Sequence, residues 1–430
     1  MDGKEVEQYL IDFQEKALPE LVPRNLAVPP SKKITVIIGP RRAGKTSYLF
    51  QIMQQLLRAG KKKEDLLYLN FEHTKLLEVG FKDIKRIAEL NQELYSSSRQ
   101  VIFLDEVQNV PFWEKAVREL YEEGATIYIT GSSSKLLSKE IATSLRGRSL
   151  SYILLPFSFI EFLQLRKAYP SSLVSSKDKT RISALLREFL ELGGFPEVIL
   201  EENREVKTKI LENYFELTVF KDIIERYKVR DSFLVKWFIK SMAASYTKEV
   251  SIHKMYLTLK SQNRSIGKEE LYSYASMCND SLFIFYLPKF SWSIRKREPV
   301  HKAYLSDVGF SKITEVTPDR GKKMENTVFL ELARKLKPLQ ELFYWKNTQQ
   351  EEVDFVVKAG AKIQQLIQVC ANPESLSREV RALLKASKEL QCPDLTVITE
   401  ELEKEEKAAW HQVRGNIKYI PLWKWLLRLP

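Results

Sequence analysis

Apolar residues in the first third of the chain come in short unbroken runs separated by stretches of helical period. Ile34-Thr35-Val36-Ile37-Ile38, Val101-Ile102-Phe103-Leu104-Asp105 and Thr126-Ile127-Tyr128-Ile129-Thr130, with further runs at 67–71 and 152–156, predict five strands. Continuous apolar runs mean strands covered on both faces, and their alternation with amphipathic stretches such as Ser47 to Arg58 predicts a parallel sheet in an α/β fold. The lead segment carries Pro19, Pro23, Pro29 and Pro30 and is expected not to form a long helix, because proline lacks the N–H a helix interior requires.

From Phe157 to about Tyr227 the pattern turns purely helical. Arg181 to Leu192 is one such helix, stopped by Gly193-Gly194 and Pro196, while the polar, aperiodic stretch Ser171 to Lys179 reads as a loop. Asp231 to Met242, Ile252 to Leu259 and Lys268 to Met277 predict three more helices, followed by the β-prone run Leu282 to Leu287, a basic turn Ser293 to Arg297 and a returning strand His301 to Leu305. Three helices and a hairpin with a basic tip are the plan of a winged helix. DNA-binding versions place the third helix in the major groove and the wing on phosphate, which assigns Lys268, Tyr272 and Tyr274 to the helix face and Arg295, Lys296 and Arg297 to the wing. Glu269-Glu270 beside Lys268 opposes a phosphate-facing helix, so a protein-contact module is the alternative.

The sharpest chemistry lies just after the first strand. Gly39-Pro40-Arg41-Arg42-Ala43-Gly44-Lys45-Thr46, with Ser47 after it, is a phosphate-binding loop between a β-branched strand and an amphipathic helix. Glycine at both ends lets the backbone curl so that successive N–H groups face the phosphates. Lys45 supplies a fixed charge to the β and γ phosphates, Thr46 offers its hydroxyl to Mg2+, and the positive end of the helix favours the anion. The third strand ends in Asp105-Glu106: Asp105 is placed for the magnesium shell and Glu106 for polarising the attacking water. Gly131-Ser132-Ser133-Ser134 follows the next strand, and Ser132 is the first choice for a γ-phosphate sensor.

The phosphate loop, Leu104-Asp105-Glu106, Thr130-Gly131-Ser132-Ser133 and Ser144-Leu145-Arg146-Gly147-Arg148 resemble the ATPase core of AAA+-type proteins of archaea and bacteria. The likeness continues through Gly193-Gly194-Phe195-Pro196-Glu197, Lys221 to Tyr227, Glu325-Asn326 and Glu352-Val353-Asp354-Phe355, and so covers almost the whole chain. The resemblance implies ATP and Mg2+ as cofactors and a C-terminal domain of restriction-endonuclease-like fold. It also implies subunits in a homo-oligomeric ring, such as a hexamer, in which an arginine of one subunit completes the site of the next. Arg146 and Arg148 fit that position in the chain, Arg148 slightly better.

The domains expected on this basis are an AAA+ ATPase core at 1–156, a helical lid at 157–230, a winged-helix-like domain at 231–310 and an endonuclease-like α/β domain at 311–430. In the last of these, Glu325 on a helix, Glu352 and Asp354 on a strand and Gln368 on the next strand stand in the order of the metal ligands of PD-(D/E)XK nucleases. Cys370 stands where those enzymes carry a lysine. A thiol in an apolar strand supplies no fixed positive charge to the scissile phosphate, so cleavage should be lost or severely reduced.

Composition narrows the choice less. A chain of 430 residues suggests about three domains at ~150 residues each. The excess of 68 Lys and Arg over 56 Asp and Glu favours an anionic partner, with DNA the expected one. No run approaches the ~18 apolar residues of a membrane span and the acidic N-terminus has no signal-peptide pattern, so no membrane association and a cytoplasmic location are expected. Cys278, Cys370 and Cys392 show no C-x-x-C spacing, and the four histidines are scattered. Two functions remain open: an ATP-driven remodeller or translocator of DNA, and a nucleotide-controlled switch that recognises a protein or peptide.

Overall fold

The computed structural model describes residues 3–95, 100–132, 145, 147–170, 174–264, 266–293, 301–314 and 317–428. Its chain divides into two compact units, Met1–Leu154 with Asp280–Leu282, and Leu155–Asn279 with Phe283–Pro430.

The first unit holds helix α1 (Gly3–Glu15), strand β1 (Ile34–Ile38), α2 (Lys45–Arg58), β2 (Leu66–Asn70), α3 (Phe81–Tyr95), β3 (Val101–Asp105), α4 (Trp113–Glu122), β4 (Thr126–Gly131) and β5 (Ser149–Ile153). The strands pair in the order β2-β3-β4-β1-β5, all parallel, as the apolar runs predict. Every residue of β1 and β3 is buried, because helices cover both faces and nearly each side chain leaves water. This order puts β4 between the strand that feeds the phosphate loop and the strand that ends in Asp105.

Two expectations need correction here. A 13-residue helix, α1, does form in the lead segment, because all four prolines lie after it and leave Gly3–Glu15 free to bond internally. The fifth strand runs over 149–153, not 152–156. Among the described residues it is the edge of the sheet, paired with β1 from Ile34↔Ser149 onward, so it is half exposed and carries no buried apolar run to mark it.

The second unit opens with helices α5 (Phe159–Leu165), α6 (Ser176–Leu192), α7 (Pro196–Leu200) and α8 (Arg204–Leu217), the last running on as a π-helical stretch over Thr218–Glu225. Helix α6 starts inside the stretch expected to be loop. Ser175 and Asp178 form a reciprocal capping box there, a polar start signal that the search for apolar period passes over. Then come α9 (Ser232–Ala244), β6 (Glu249–Val250), α10 (Ile252–Ser261), α11 (Lys268–Asp280) and the antiparallel pair β7 (Ile284–Pro288) and β8 (His301–Leu305), in a three-stranded sheet ordered β6-β8-β7. One apolar core runs through this region, from Leu192, Phe195 and Phe215 to Phe238, Leu271, Phe283 and Leu305.

After a long helix α12 (Arg320–Lys335), a six-stranded mixed sheet closes the chain. It comprises β9 (Gln340–Lys346), β10 (Glu352–Ala359), β11 (Lys362–Cys370), helix α13 (Leu376–Leu390), β12 (Leu395–Thr399), β13 (Lys404–Trp410), β14 (Val413–Pro421) and a short α14 (Leu422–Leu427), in the order β13-β14-β12-β11-β10-β9. Helix α13 lays its buried face, Leu383, Leu384 and Ala386, against a core that includes Val356, Leu366, Val397 and Ile417.

Among the described residues, no helix is long and apolar enough to cross a membrane.

Candidate functional site

Residues 39–46 curl tightly after β1, with Arg42 at φ 65° and Gly44 at φ 92°. Glycine is required at 39 for another reason: a Cβ there would lie 2.1 Å from the Leu154 carbonyl oxygen. Helix α2 then starts at Lys45 with no side-chain cap and no acidic residue in its first turn, which leaves its leading N–H groups to a ligand.

The Lys45 ammonium is buried beneath the loop, 3.3 Å from the carbonyl oxygens of Gly39 and Pro40 and 3.3 Å from Glu106 Oε1. Thr46 Oγ1 donates to Asp105 Oδ2 at 2.7 Å. The two ends of the predicted site, 59 residues apart in the chain, therefore meet. Asp105 also accepts from Tyr68 Oη at 2.9 Å and from Thr130 Oγ1, and that same threonine oxygen accepts the Glu106 N–H at 3.0 Å. Burial pushes the Asp105 carboxyl up, while the hydroxyls of Thr130 and Thr46 act the other way by stabilising its charge. Burial would raise Glu106 too, but the Lys45 ammonium, Gln108 and Arg41 outweigh it and hold that carboxyl below its usual range. Gln108 Nε2 donates to Glu106 Oε2 at 2.5 Å. Ser132 is buried, and its hydroxyl has no hydrogen-bond partner among the described residues, which leaves one polar atom beside Thr130 unsatisfied.

Tyr68, Thr130 and Gln108 were not singled out from the sequence. Thr130 lies inside the Thr-Gly-Ser-Ser stretch already noted, and only the placing of β4 between β1 and β3 shows that it faces Asp105. Arg148 Nη2 pairs with Glu122 Oε1 at 2.8 Å on the surface, and Arg146 lies outside the described residues.

The expected nucleic-acid face divides. Lys268 is exposed, with its ammonium 5.3 Å above the Tyr256 ring, and Tyr272 is 43% exposed. Tyr274 is not on that face. It is 3% exposed, packs edge-on against Phe238 in the core, and its hydroxyl donates to Glu270, because helical spacing puts it on the side of α11 that carries Leu271 and Cys278. Arg295, Lys296 and Arg297 lie outside the described residues.

In the C-terminal sheet the expected carboxylates do converge, but on a side chain that was not anticipated. Lys302 of β8, 2% exposed, places its ammonium 3.0 Å from Glu325 Oε1, 2.5 Å from Glu352 Oε1 and 3.1 Å from Asp354 Oδ1. Gln368 is committed elsewhere: its oxygen accepts the Asp354 N–H at 3.1 Å and its amide donates to Glu379 Oε2 at 2.7 Å. The Cys370 thiol donates to the Asn372 carbonyl at 3.1 Å, and burial pushes it up, away from thiolate.

Two further motifs make backbone contacts within the second unit. Asp307 accepts the N–H of Gly194 at 2.7 Å and that of Gly309 at 2.8 Å. A Cβ on Gly193, at φ +77°, would fall 1.6 Å from Asp307 Oδ1, and one on Gly194 would fall 2.2 Å from the Phe157 carbonyl oxygen. Asn326 clamps Leu305, accepting its N–H at 2.8 Å and donating to its carbonyl at 3.1 Å.

Residues 31–163 match the AAA domain family, and two domains of unknown function match residues 183–318 (DUF8612) and 320–425 (DUF4143). An uncharacterized protein of Methanocaldococcus jannaschii, MJ1544, is 35% identical over 92% of this chain and 88% of its own length. The chain belongs to that protein's family. An uncharacterized Haemophilus influenzae protein is 31% identical over 77% of this chain and 80% of its own, so the family spans archaea and bacteria. Among solved structures, the Aeropyrum pernix Orc1 protein in complex with DNA covers 77% of this chain and 94% of its own at 12% identity and a TM-score of 0.29, a distant likeness. The AAA match and the parallel sheet together make residues 31–163 of this family member a P-loop core.

Proposed function

We propose that this protein is a Mg2+-dependent ATPase of the AAA+ type that acts as a homo-oligomer and drives remodelling or translocation of DNA. The observation that carries the ATPase reading is the meeting of Lys45, Thr46, Asp105 and Glu106 at one end of the sheet, beside an uncapped helix start and the unsatisfied hydroxyl of Ser132.

The residues fit a magnesium triphosphate. The loop backbone from Gly39 to Gly44, the N–H groups at the start of α2 and the Lys45 ammonium would bind the phosphates; the Thr46 hydroxyl and the Asp105 carboxylate would hold the ion. When bound, Mg2+ neutralises charge on the phosphate oxygens. Glu106, kept ionised by Lys45, is suited to accept a proton from a water aimed at the γ-phosphate once the ammonium turns to the nucleotide. Ser132 supplies a hydroxyl just after β4, and Arg148, whose side chain is held among the described residues by a weak surface ion pair, can be released at little cost to reach a neighbouring subunit.

The DNA reading rests on the net charge of +12 and on the order of elements from α9 to β8, which follows a winged-helix plan with Lys268 exposed on its third helix. A second reading, a nucleotide-timed switch for a protein or peptide, draws support from the same helix, where Glu269 and Glu270 share the exposed surface and Tyr274 is withdrawn from it. ATP turnover measured with duplex, forked and single-stranded DNA across salt concentrations separates them. Stimulation with salt-sensitive binding supports remodelling; equal turnover in every condition rejects it and leaves the switch. No turnover with or without DNA rejects both.

A further inference from the structure

Burying one lysine among three carboxylates needs a physical reason. The strand that carries Lys302 ends in residues locked to α12: Asn326 pairs both backbone groups of Leu305, and Tyr304 Oη donates to Glu325 Oε1 at 2.7 Å. Lys302 therefore enters the gap between Glu325 of α12 and Glu352 and Asp354 of β10 from a fixed backbone. Asp354 is fixed as well, since its second oxygen accepts the Val369 N–H at 2.9 Å. The distances of 2.5 to 3.1 Å leave no room for a water or an ion between nitrogen and oxygens.

We infer that the Lys302 ammonium is a built-in replacement for a divalent cation: it fills the cation position of this carboxylate cluster, closes the site to metal, and ties the β7–β8 hairpin to the C-terminal sheet. The arrangement sets a fixed positive charge among the buried carboxylates without recruiting an ion from solution. It makes the cluster a lock between two sheets in place of a reaction centre, and it is independent of the ATPase reading.

The test uses the full-length chain without nucleotide. Fe2+ with ascorbate and peroxide, which cuts backbone beside a bound metal, is expected to leave wild type intact around 325, 354 and 368; cuts there overturn the inference. Lys302→Ala is then titrated with Mn2+, read by the electron paramagnetic resonance of the free ion. One Mn2+ more per chain than wild type, lost again in Lys302→Ala/Asp354→Asn, is expected. A folded Lys302→Ala with no additional Mn2+ overturns the inference, and if that variant does not fold, the wild-type cleavage result decides alone.

Discussion

Thr46 Oγ1 donates to Asp105 Oδ2 at 2.7 Å, joining the first turn of α2 to the end of β3 across an intervening strand. Both groups are the oxygens that a magnesium shell would recruit, and each is already aimed at the other. Asp105→Asn keeps the shape of the contact and removes the charge. Nucleotide should still bind, while ATP turnover falls about a hundredfold and no longer responds to Mg2+ concentration. Turnover that stays magnesium-dependent would remove Asp105 from the site.

Lys45→Ala should abolish binding, because the phosphates lose their buried counter-charge and Glu106 loses its ion-pair partner in the same space. A fluorescent ATP analogue titrated against wild type and variant reads this directly. Retained hydrolysis would mean that nucleotide sits elsewhere.

Glu106→Gln should leave that titration unchanged and slow turnover by ~10² or more, the usual worth of a general base. The amide can still receive Gln108's donor but cannot take a proton. Equal rates would show that another group orients the water.

Arg148→Ala should cost less than about 1 kcal/mol of stability, since its partner Glu122 is a surface residue. If Arg148 acts in trans, the variant is inactive alone, and mixing it with inactive Lys45→Ala restores part of the turnover. Mixtures that stay inactive would argue against an arginine shared between subunits.

Gly193→Ala should destabilise the second unit by about 3 kcal/mol or more, because φ +77° with ψ −162° is reserved for glycine and the new methyl would overlap Asp307. Asp307→Ala leaves the Gly194 and Gly309 N–H groups without their acceptor and should cost about 2–4 kcal/mol. Urea unfolding of each variant gives these numbers; a Gly193→Ala midpoint equal to wild type would show that the backbone at 193 relaxes.

What the chain's order of residues determined by itself was everything that depends on neighbours in sequence. Four of the five parallel strands, the loop 39–46 and the Asp105-Glu106 step after the third strand were legible because backbone period and loop chemistry are local properties. Periodicity became silent where a strand lies at a sheet edge, as at 149–153, and where a helix starts on a polar capping box, as at Ser175. Tertiary structure alone decided which distant groups meet. That Thr130 holds Asp105 follows from β4 pairing between β1 and β3; that Tyr274 turns inward follows from the side of α11 that faces Phe238; that Lys302 sits among Glu325, Glu352 and Asp354 follows from Asn326 holding β8 against α12. Charged side chains are placed by the energy of burying them together, and that energy exists only once the elements carrying them have packed.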